Sequence, residues 1–214
     1  MPAIFITGGT GYMGKRLIKI LLLKGYPVKA LVRAGSERKL PPGCDFVIAD
    51  PFDEKTFAAA IPAQSIFVQL LGVPHPGPRK KELFKTVDLA SVKTAVKAAH
   101  QAGVAHFIYV SVAQMPTKIM RDYQLCRAQG EESIKEKGLH YTFIRPWYVI
   151  GPGHYWPLLM TPFFPILEMI PSTSKTAKAL RLVSLKQMLH ALLFAIENPA
   201  AANSVLEIEQ IRKF

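Results

Sequence analysis

The chain has 214 residues, of which 50% are hydrophobic and 20% are charged, and its formal net charge is +12. This length and composition exclude a disordered chain, a collagen and a disulfide-built scaffold, and they favour one domain with a substantial core. The only dense basic run is Arg79, Lys80 and Lys81, without interleaved aromatic residues, which indicates a solvated basic surface and no nucleic-acid partner.

Three features bear on where the protein works. The first six residues lack the basic start of a signal peptide. The most apolar stretch, residues 155–170, contains three prolines and Glu168, so it is not expected to span a bilayer as a helix. Cys44 and Cys126 are too far apart for a CxxC motif, and a cytoplasmic location is therefore expected.

The first half of the chain alternates strands with helical or loop segments. Residues 4–7 predict a strand that ends in glycines, and residues 13–23 carry apolar side chains at helical spacing before the stop at Gly25. Further strands are predicted over residues 28–32, 46–49 and 65–71.

The second half continues this alternation. Helices are predicted over residues 83–102, 122–137 and 185–197, and strands over residues 106–112, 141–144 and 205–208. The pattern predicts an α/β fold with a doubly wound parallel sheet, the Rossmann fold, in a single domain over residues 1–214.

A glycine-rich turn follows the first predicted strand. Its sequence, Thr7 to Gly14, places glycines at positions 8, 11 and 14 in a GxxGxxG array. Residues without a Cβ let the backbone approach a pyrophosphate, whose charge is then met by N–H groups of the following helix. The residues expected to bind the pyrophosphate are Gly8, Thr10, Gly11, Tyr12, Met13 and Gly14.

The end of the second predicted strand indicates which dinucleotide is bound. A site selective for NAD would place an acid there to hold the ribose 2′-hydroxyl, whereas this chain has Arg33. Arg38 and Lys39 follow, and no acid precedes Glu37. A guanidinium suits a 2′-phosphate, so NADP is predicted over NAD; the alternative is that Arg33 is an ordinary surface arginine.

Together with the glycine turn, four strand-end motifs carry a family resemblance. They are Val47-Ile48-Ala49-Asp50, Leu70-Leu71-Gly72, Tyr109-Val110-Ser111 and Ile144-Arg145-Pro146. In this order they resemble the atypical or extended short-chain dehydrogenase/reductase superfamily, with its NmrA-like and epimerase-like members, over nearly the whole chain. The resemblance implies that Asp50 contacts the adenine, that Gly72 lies along the cofactor and that the backbone at Pro146 approaches the nicotinamide.

The same resemblance implies a catalytic set, from which this chain departs at one position. The family uses a serine and a YxxxK motif, and the matching residues here are Ser111, Tyr123 and Arg127, which form YxxxR. Arginine keeps the positive charge and is able to bond a ribose, but its pKa is too high for a proton relay. The alternatives are an ordinary tyrosine at a helix start and a structural serine.

The histidines and Cys126 give weaker indications of function than the residues above. The six histidines have no metal-binding spacing, so no metal site is predicted. His154 follows the sixth predicted strand and is a weaker candidate for substrate contact. Cys126 has no base near it in sequence and is expected to serve packing.

Residues 146–182 include an apolar, proline-rich stretch, which is expected to form a lid on the substrate side. Such a lid favours a small apolar substrate over a nucleotide sugar. The alternatives are a homodimer contact or a peripheral membrane contact, and whether the protein is a monomer or a homodimer stays open.

Three functions are compatible with these features. The leading hypothesis is an NADP-dependent oxidoreductase that transfers hydride from NADPH to a small apolar carbonyl, quinone or similar acceptor. The second is an NADP-binding sensor without catalysis, as NmrA-like regulators are. A sugar-nucleotide epimerase is disfavoured because about 60 residues follow the sixth predicted strand, fewer than such relatives carry.

Overall fold

The computed structural model describes residues 1–74, 76–115, 120–153, 155, 181–199 and 203–214. Its strands are β1 (Ile4–Thr7), β2 (Val28–Val32), β3 (Asp45–Ile48), β4 (Ile66–Gln69), β5 (His106–Val110), β6 (Tyr141–Arg145), β7 (Val149–Ile150), β8 (Val183–Ser184) and β9 (Ser204–Glu207). Its α-helices are α1 (Gly14–Leu23), α2 (Lys81–Leu83), α3 (Ala90–Ala102), α4 (Arg121–Glu136), α5 (Leu185–Glu197) and α6 (Ile208–Ile211).

Seven strands form one sheet in the order β3-β2-β1-β4-β5-β6-β9, and every neighbouring pair is parallel. Strands β1, β4 and β5 are buried along their whole length, as expected for a parallel sheet with helices on both faces. The doubly wound Rossmann fold predicted from the sequence is confirmed. The order of the strands reverses between β1 and β4: β2 and β3 extend the sheet on one side of β1, and β4, β5 and β6 extend it on the other. Such folds bind ligands at this point of reversal.

Alternate side chains of each strand supply two cores, because successive residues point to opposite faces of a sheet. On one face, Ile4 and Ile6 pack with Leu17 of α1 and with Met188 and Leu192 of α5. The opposite face is built largely from aromatic rings. There Phe5, Phe67 and Phe107 pack with residues of α3 and α4, and the Phe67 and Phe107 rings stack with centroids 4.9 Å apart.

The segment predicted as one helix over residues 83–102 is divided. Helix α2 and a π-helix over Phe84–Leu89 precede α3. The wider π-turn places Asp88 in the interior, where it is 1% exposed. Helix α3 is followed by Gly103, whose φ of 64° is the left-handed conformation that glycine adopts readily.

The predicted last strand differs by one residue at each end. Strand β9 stops at Glu207 because that residue caps α6, exchanging hydrogen bonds between side chains and backbone with Gln210. After β6, the pair β7 and β8 forms a small second sheet beside α5. Within the described residues, no helix has the length and apolar character needed to cross a membrane.

Candidate functional site

A cleft of about 350 Å³ opens at the carboxyl ends of β1, β4, β5 and β6. The topology brings the predicted strand-end residues here, because the carboxyl ends of parallel strands share one edge of the sheet. Most of the predicted site residues line it: Gly8, Gly11, Tyr12, Met13, Gly14, Gly72, Ser111, Tyr123, Arg127 and Pro146.

The glycine turn has no space for side chains at two of its glycines. A Cβ on Gly14 would collide with the Gly8 carbonyl oxygen and would lie 2.7 Å from the Gly9 Cα. Gly8 has a φ of 69°, and a Cβ there would lie 2.8 Å from the Leu70 carbonyl carbon. The turn is further closed by the Gly11 N–H, which donates to the Gly8 carbonyl over 2.9 Å.

The turn also contributes backbone N–H groups at the start of helix α1. Helix α1 begins at Gly14 without a capping side chain, and in the described part of the chain no hydrogen bond occupies the N–H groups of Met13 and Gly14. Both residues line the cleft. Unoccupied N–H groups at a helix start suit a phosphate, so these residues fit a dinucleotide pyrophosphate.

Three predicted cofactor contacts lie outside this cleft. Thr10 belongs to the turn but does not line the cavity, and Arg33 and Asp50 are exposed just beyond β2 and β3. The Asp50 side chain accepts a hydrogen bond from the Phe52 N–H over 2.9 Å. Because β2 and β3 lie on the β1 side of the sheet, these residues follow the edge along which an adenosine would extend.

The first acid after Arg33 in the sequence is Glu37. It opens a short 3₁₀-helix, Glu37–Lys39. Its Oε2 is buried and has no hydrogen-bond partner among the described residues. Arg38 and Lys39 are exposed neighbours, so cationic side chains and a carboxylate lie together at this end of the site.

Ser111 and Tyr123 line the same cleft from different elements, one directly after β5 and the other in the first turn of α4. Ser111 is 3% exposed, and its Oγ has no hydrogen-bond partner among the described residues. Burial raises the pKa of the Tyr123 phenol, and the Arg127 charge opposes that change. The tyrosine is therefore protonated at neutral pH.

Arg127 lies one turn beyond Tyr123 and is 6% exposed. Its guanidinium forms an ion pair with Asp88 through Nη2 and donates from Nη1 to the Val110 carbonyl over 3.0 Å. The Cζ is 5.2 Å from the centroid of the Tyr123 ring. Its Nε has no partner among the described residues. The charge expected to act on Tyr123 is thus shared with a buried carboxylate.

Asp88 is the site residue that the sequence reasoning missed. Its Oδ2 accepts from the Val73 N–H over 3.2 Å, while Oδ1 pairs with Arg127. Burial raises the pKa of the carboxyl, and the Arg127 charge works in the opposite direction. The available signal was spacing, because Asp88 lies midway between Phe84 and Val92 on the apolar face of the predicted helix.

Arg145 has a separate role in the structure. It donates to both carboxylate oxygens of Glu131, over 2.9 and 2.5 Å, and to Glu207 over 2.7 Å. These bonds connect β6 to α4 and β9. They fix the strand end from which Pro146 enters the cleft.

The remaining described wall of the cleft is mostly apolar. Val73 and Pro74 line one part, and Trp147, Tyr148 and Val149 line another. Cys126 is buried with Val73 and Phe84, as its predicted packing role requires. Within the predicted lid, residues 154 and 156–180, including His154, lie outside the described residues.

Comparison with protein families gives a match over two-thirds of the chain. A family model described as NAD(P)H-binding matches residues 8–151. The matched region extends from the glycine turn to just beyond β7 and thus contains the whole cleft lining described above.

Similar proteins include enzymes with different reactions. The UDP-glucose 4-epimerase of Vibrio cholerae is 26% identical over 96% of this chain and 70% of its own length. The ceramide reductase of Caulobacter vibrioides is 25% identical over 81% of this chain, which spans 56% of that protein. In fold, the chain resembles the Bordetella bronchiseptica enzyme WbmH, solved with NAD+, with a TM-score of 0.68, 20% identity and coverage of 92% and 72% of the two chains.

Proposed function

The chain belongs to the NAD(P)H-binding family, within the epimerase-like short-chain dehydrogenase/reductase superfamily, and from this premise we propose that it is an NADPH-dependent oxidoreductase. One observation carries the proposal. A single cleft is lined by the glycine turn, by the buried Ser111 and by the half-buried Tyr123. A phosphate-binding turn and a proton donor in one cavity suit reduction by a bound dinucleotide.

Different groups would supply the hydride, the proton and the hydrogen bond that the reduction needs. When bound, NADPH would supply the hydride that reduces an acceptor carbon. Tyr123, kept protonated by burial, would donate its proton to the acceptor oxygen as the C=O double bond is reduced. Ser111, whose Oγ has no partner among the described residues, would hold that oxygen by a hydrogen bond.

The substrate we propose is a small apolar carbonyl compound, a quinone or a similar acceptor. The cleft that contains Ser111 and Tyr123 is otherwise lined mostly by apolar and aromatic side chains, among them Val73, Trp147, Tyr148 and Val149. A hydroxyl-rich sugar would need more converging polar groups than this wall offers. We further propose that residues 146–182 complete the wall as a lid.

For the cofactor we propose NADP over NAD. The exposed Arg33 directly after β2 supports this choice, because a guanidinium is able to donate two parallel hydrogen bonds to a 2′-phosphate. Glu37 is the competing group, since a carboxylate accepts from ribose hydroxyls and repels a phosphate. Substitution of each residue separately distinguishes these two effects.

The experiment that tests catalysis is NADPH oxidation with a panel of apolar aldehydes, ketones and quinones. We expect turnover with some member of the panel, and we expect Tyr123→Phe to lower kcat by about a hundredfold or more, as loss of a general acid does. NADPH affinity should change little, because the substitution removes only the hydroxyl. Equal turnover by Tyr123→Phe would contradict the role of Tyr123.

A second function is favoured by the ion pair of Arg127. Since Asp88 already neutralises that guanidinium, the YxxxR motif also suits a protein that binds NADP and senses its redox state without turnover. Tight NADPH binding with no turnover on the whole panel would support this function.

A further inference from the structure

We propose that Asp88 is a positioning residue of this site, which holds Arg127 and thereby fixes Tyr123 and the ends of β4 and β5 around the cleft. The proposal deepens the proposed function, on which it rests for the role of Tyr123. It concerns a residue outside the family motifs found in the sequence.

The contacts of the pair reach three elements. On one side, the Asp88 carboxylate holds the Val73 N–H, four residues after β4 ends. On the other side, Arg127 holds the Val110 carbonyl at the end of β5. Arg127 itself belongs to α4, one turn from Tyr123. The pair therefore connects three chain segments that line the cleft at Val73, Val110 and Tyr123.

The packing leaves this pair little freedom. A Cβ on Gly72 would collide with the Arg127 Nη2 and would lie 2.8 Å from the Asp88 Oδ1. The guanidinium also lies near two aromatic rings, with its Cζ 5.6 Å from the Tyr109 centroid and 5.2 Å from the Tyr123 centroid. Removing one partner of a buried ion pair leaves an uncompensated charge, so this guanidinium depends on Asp88 as its paired carboxylate.

The π-helix explains how Asp88 reaches this position. It is the last residue but one of Phe84–Leu89, and the wide turn carries its side chain into the interior. A π-turn is costly to form and is frequent at functional sites. Here the buried ion pair and the Val73 hydrogen bond are the contacts that would stabilise it.

The charges of the pair act on Tyr123 in opposite directions. The Arg127 charge lowers the pKa of the phenol, and the Asp88 charge raises it. Removal of Asp88 alone would leave an unbalanced guanidinium beside the ring and favour the tyrosinate. Removal of Arg127 alone would have the opposite effect.

The test measures tyrosinate absorbance against pH in the full-length protein without cofactor. Each variant is compared with the same variant carrying Tyr123→Phe, so that the other tyrosines cancel. We expect Asp88→Asn to move the Tyr123 midpoint down by about one pH unit or more, and Arg127→Gln to move it up. If Asp88→Asn alone does not fold, it is combined with Arg127→Gln; the Tyr123 midpoint of the double variant should lie below that of Arg127→Gln alone, because the Asp88 charge raises the phenol pKa.

The matched control is Glu131→Gln. Glu131 lies in α4, as Arg127 does, and its buried carboxylate forms a different ion pair, with Arg145. This substitution should lower stability without moving the Tyr123 midpoint.

Asp88→Asn should also speed amide exchange at Val73 and raise KM for NADPH-dependent reduction at least severalfold. Unchanged titration and unchanged exchange in Asp88→Asn, or an equal change in Glu131→Gln, would overturn the proposal. Failure of the proposed function would instead appear as absent turnover in the unsubstituted protein, with the titration effects intact.

Discussion

At the residue scale, two of the glycines in the turn act through the absence of a side chain. For Gly14 the obstacles to a Cβ are backbone atoms, the Gly8 carbonyl oxygen and the Gly9 Cα. Backbone atoms cannot move aside without deforming β1 or the start of α1. The position therefore links the stability of the turn directly to the shape of the cofactor site.

Gly14→Ala is expected to destabilise the protein by about 1–3 kcal/mol, the usual cost of overpacking, and to weaken NADPH binding by about tenfold or more because the turn must open. Thermal unfolding and fluorescence titration measure the two effects. Gly77→Ala is the control, since a Cβ there has no atom within 4 Å and its φ is extended. Equal affinity of Gly14→Ala and the unsubstituted protein would be inconsistent with this account.

His106 acts at the opposite end of the sheet from the cleft. It is fully buried at the start of β5, and its Nε2 is 2.9 Å from the Thr142 Oγ1. Burial, with a smaller contribution from His140, lowers its pKa from 6.5 to about 4. The native protein thus holds this imidazole neutral at a pH where the unfolded chain protonates it.

This difference gives stability a defined pH dependence. Between pH 6.5 and about 4 the unfolded state binds the proton and the native state does not. The contribution of His106 to the free energy of unfolding is therefore undiminished above pH 6.5, and stability falls as the pH drops below that value. Urea unfolding of His106→Asn should show a weaker loss over that interval than the unsubstituted protein does. His100→Asn, which changes an exposed histidine, should keep the original slope; identical slopes for all three would rule out this role of His106.

At the element scale, the sequence predicted the strands and the long helices well where the pattern was local. Strands β1 and β2 match their predicted bounds, because each is a short apolar run between turn residues. Helix α1 starts at Gly14, one residue later than predicted, and α3 ends before Gly103 as predicted. Apolar runs, helical spacing and terminating glycines depend only on neighbouring residues, so they could be recognised from the sequence.

The features that the sequence did not reveal depend on distant contacts. The π-helix over Phe84–Leu89 exists beside a buried pair formed with Arg127, 39 positions further along the chain. The apolar periodicity of the sequence alone predicts an ordinary α-helix over these residues. Likewise, the bonds from Arg145 to Glu131 and Glu207 join three elements, and no spacing rule identifies such partners.

The start of helix α5 is fixed by a capping box, a feature formed by residues close in sequence. Ser184 caps it by accepting from the Gln187 N–H over 3.1 Å, and the Gln187 side chain accepts from the Ser184 N–H over 2.9 Å. Ser184→Ala should destabilise the protein by about 1 kcal/mol. Denaturant unfolding checks this, with Ser133→Ala inside α4 as a control that is expected to be near neutral; equal losses would show that capping is not the cause.

At the scale of the whole molecule, the fold collects the separate strand-end residues at one edge of the sheet. The order β3-β2-β1-β4-β5-β6-β9 places Arg33 and Asp50 on one side of the glycine turn and Ser111 and Pro146 on the other. A dinucleotide lying along this edge would extend from the cationic end to the apolar cleft. The site is therefore a property of the topology as much as of the motifs.

The central claim is that this edge binds NADPH, and the most direct measurement is a fluorescence titration of the purified protein with NADPH and, separately, with NADH. We expect NADPH to bind at least about tenfold more tightly, and we expect Arg33→Ala to remove most of that difference. Lys97→Ala, which removes an exposed charge from α3, should leave both affinities unchanged. Glu37→Gln should not weaken NADPH binding. Equal binding of the two cofactors, unaffected by Arg33→Ala, would contradict the NADP assignment, and binding of neither would contradict the proposed function itself.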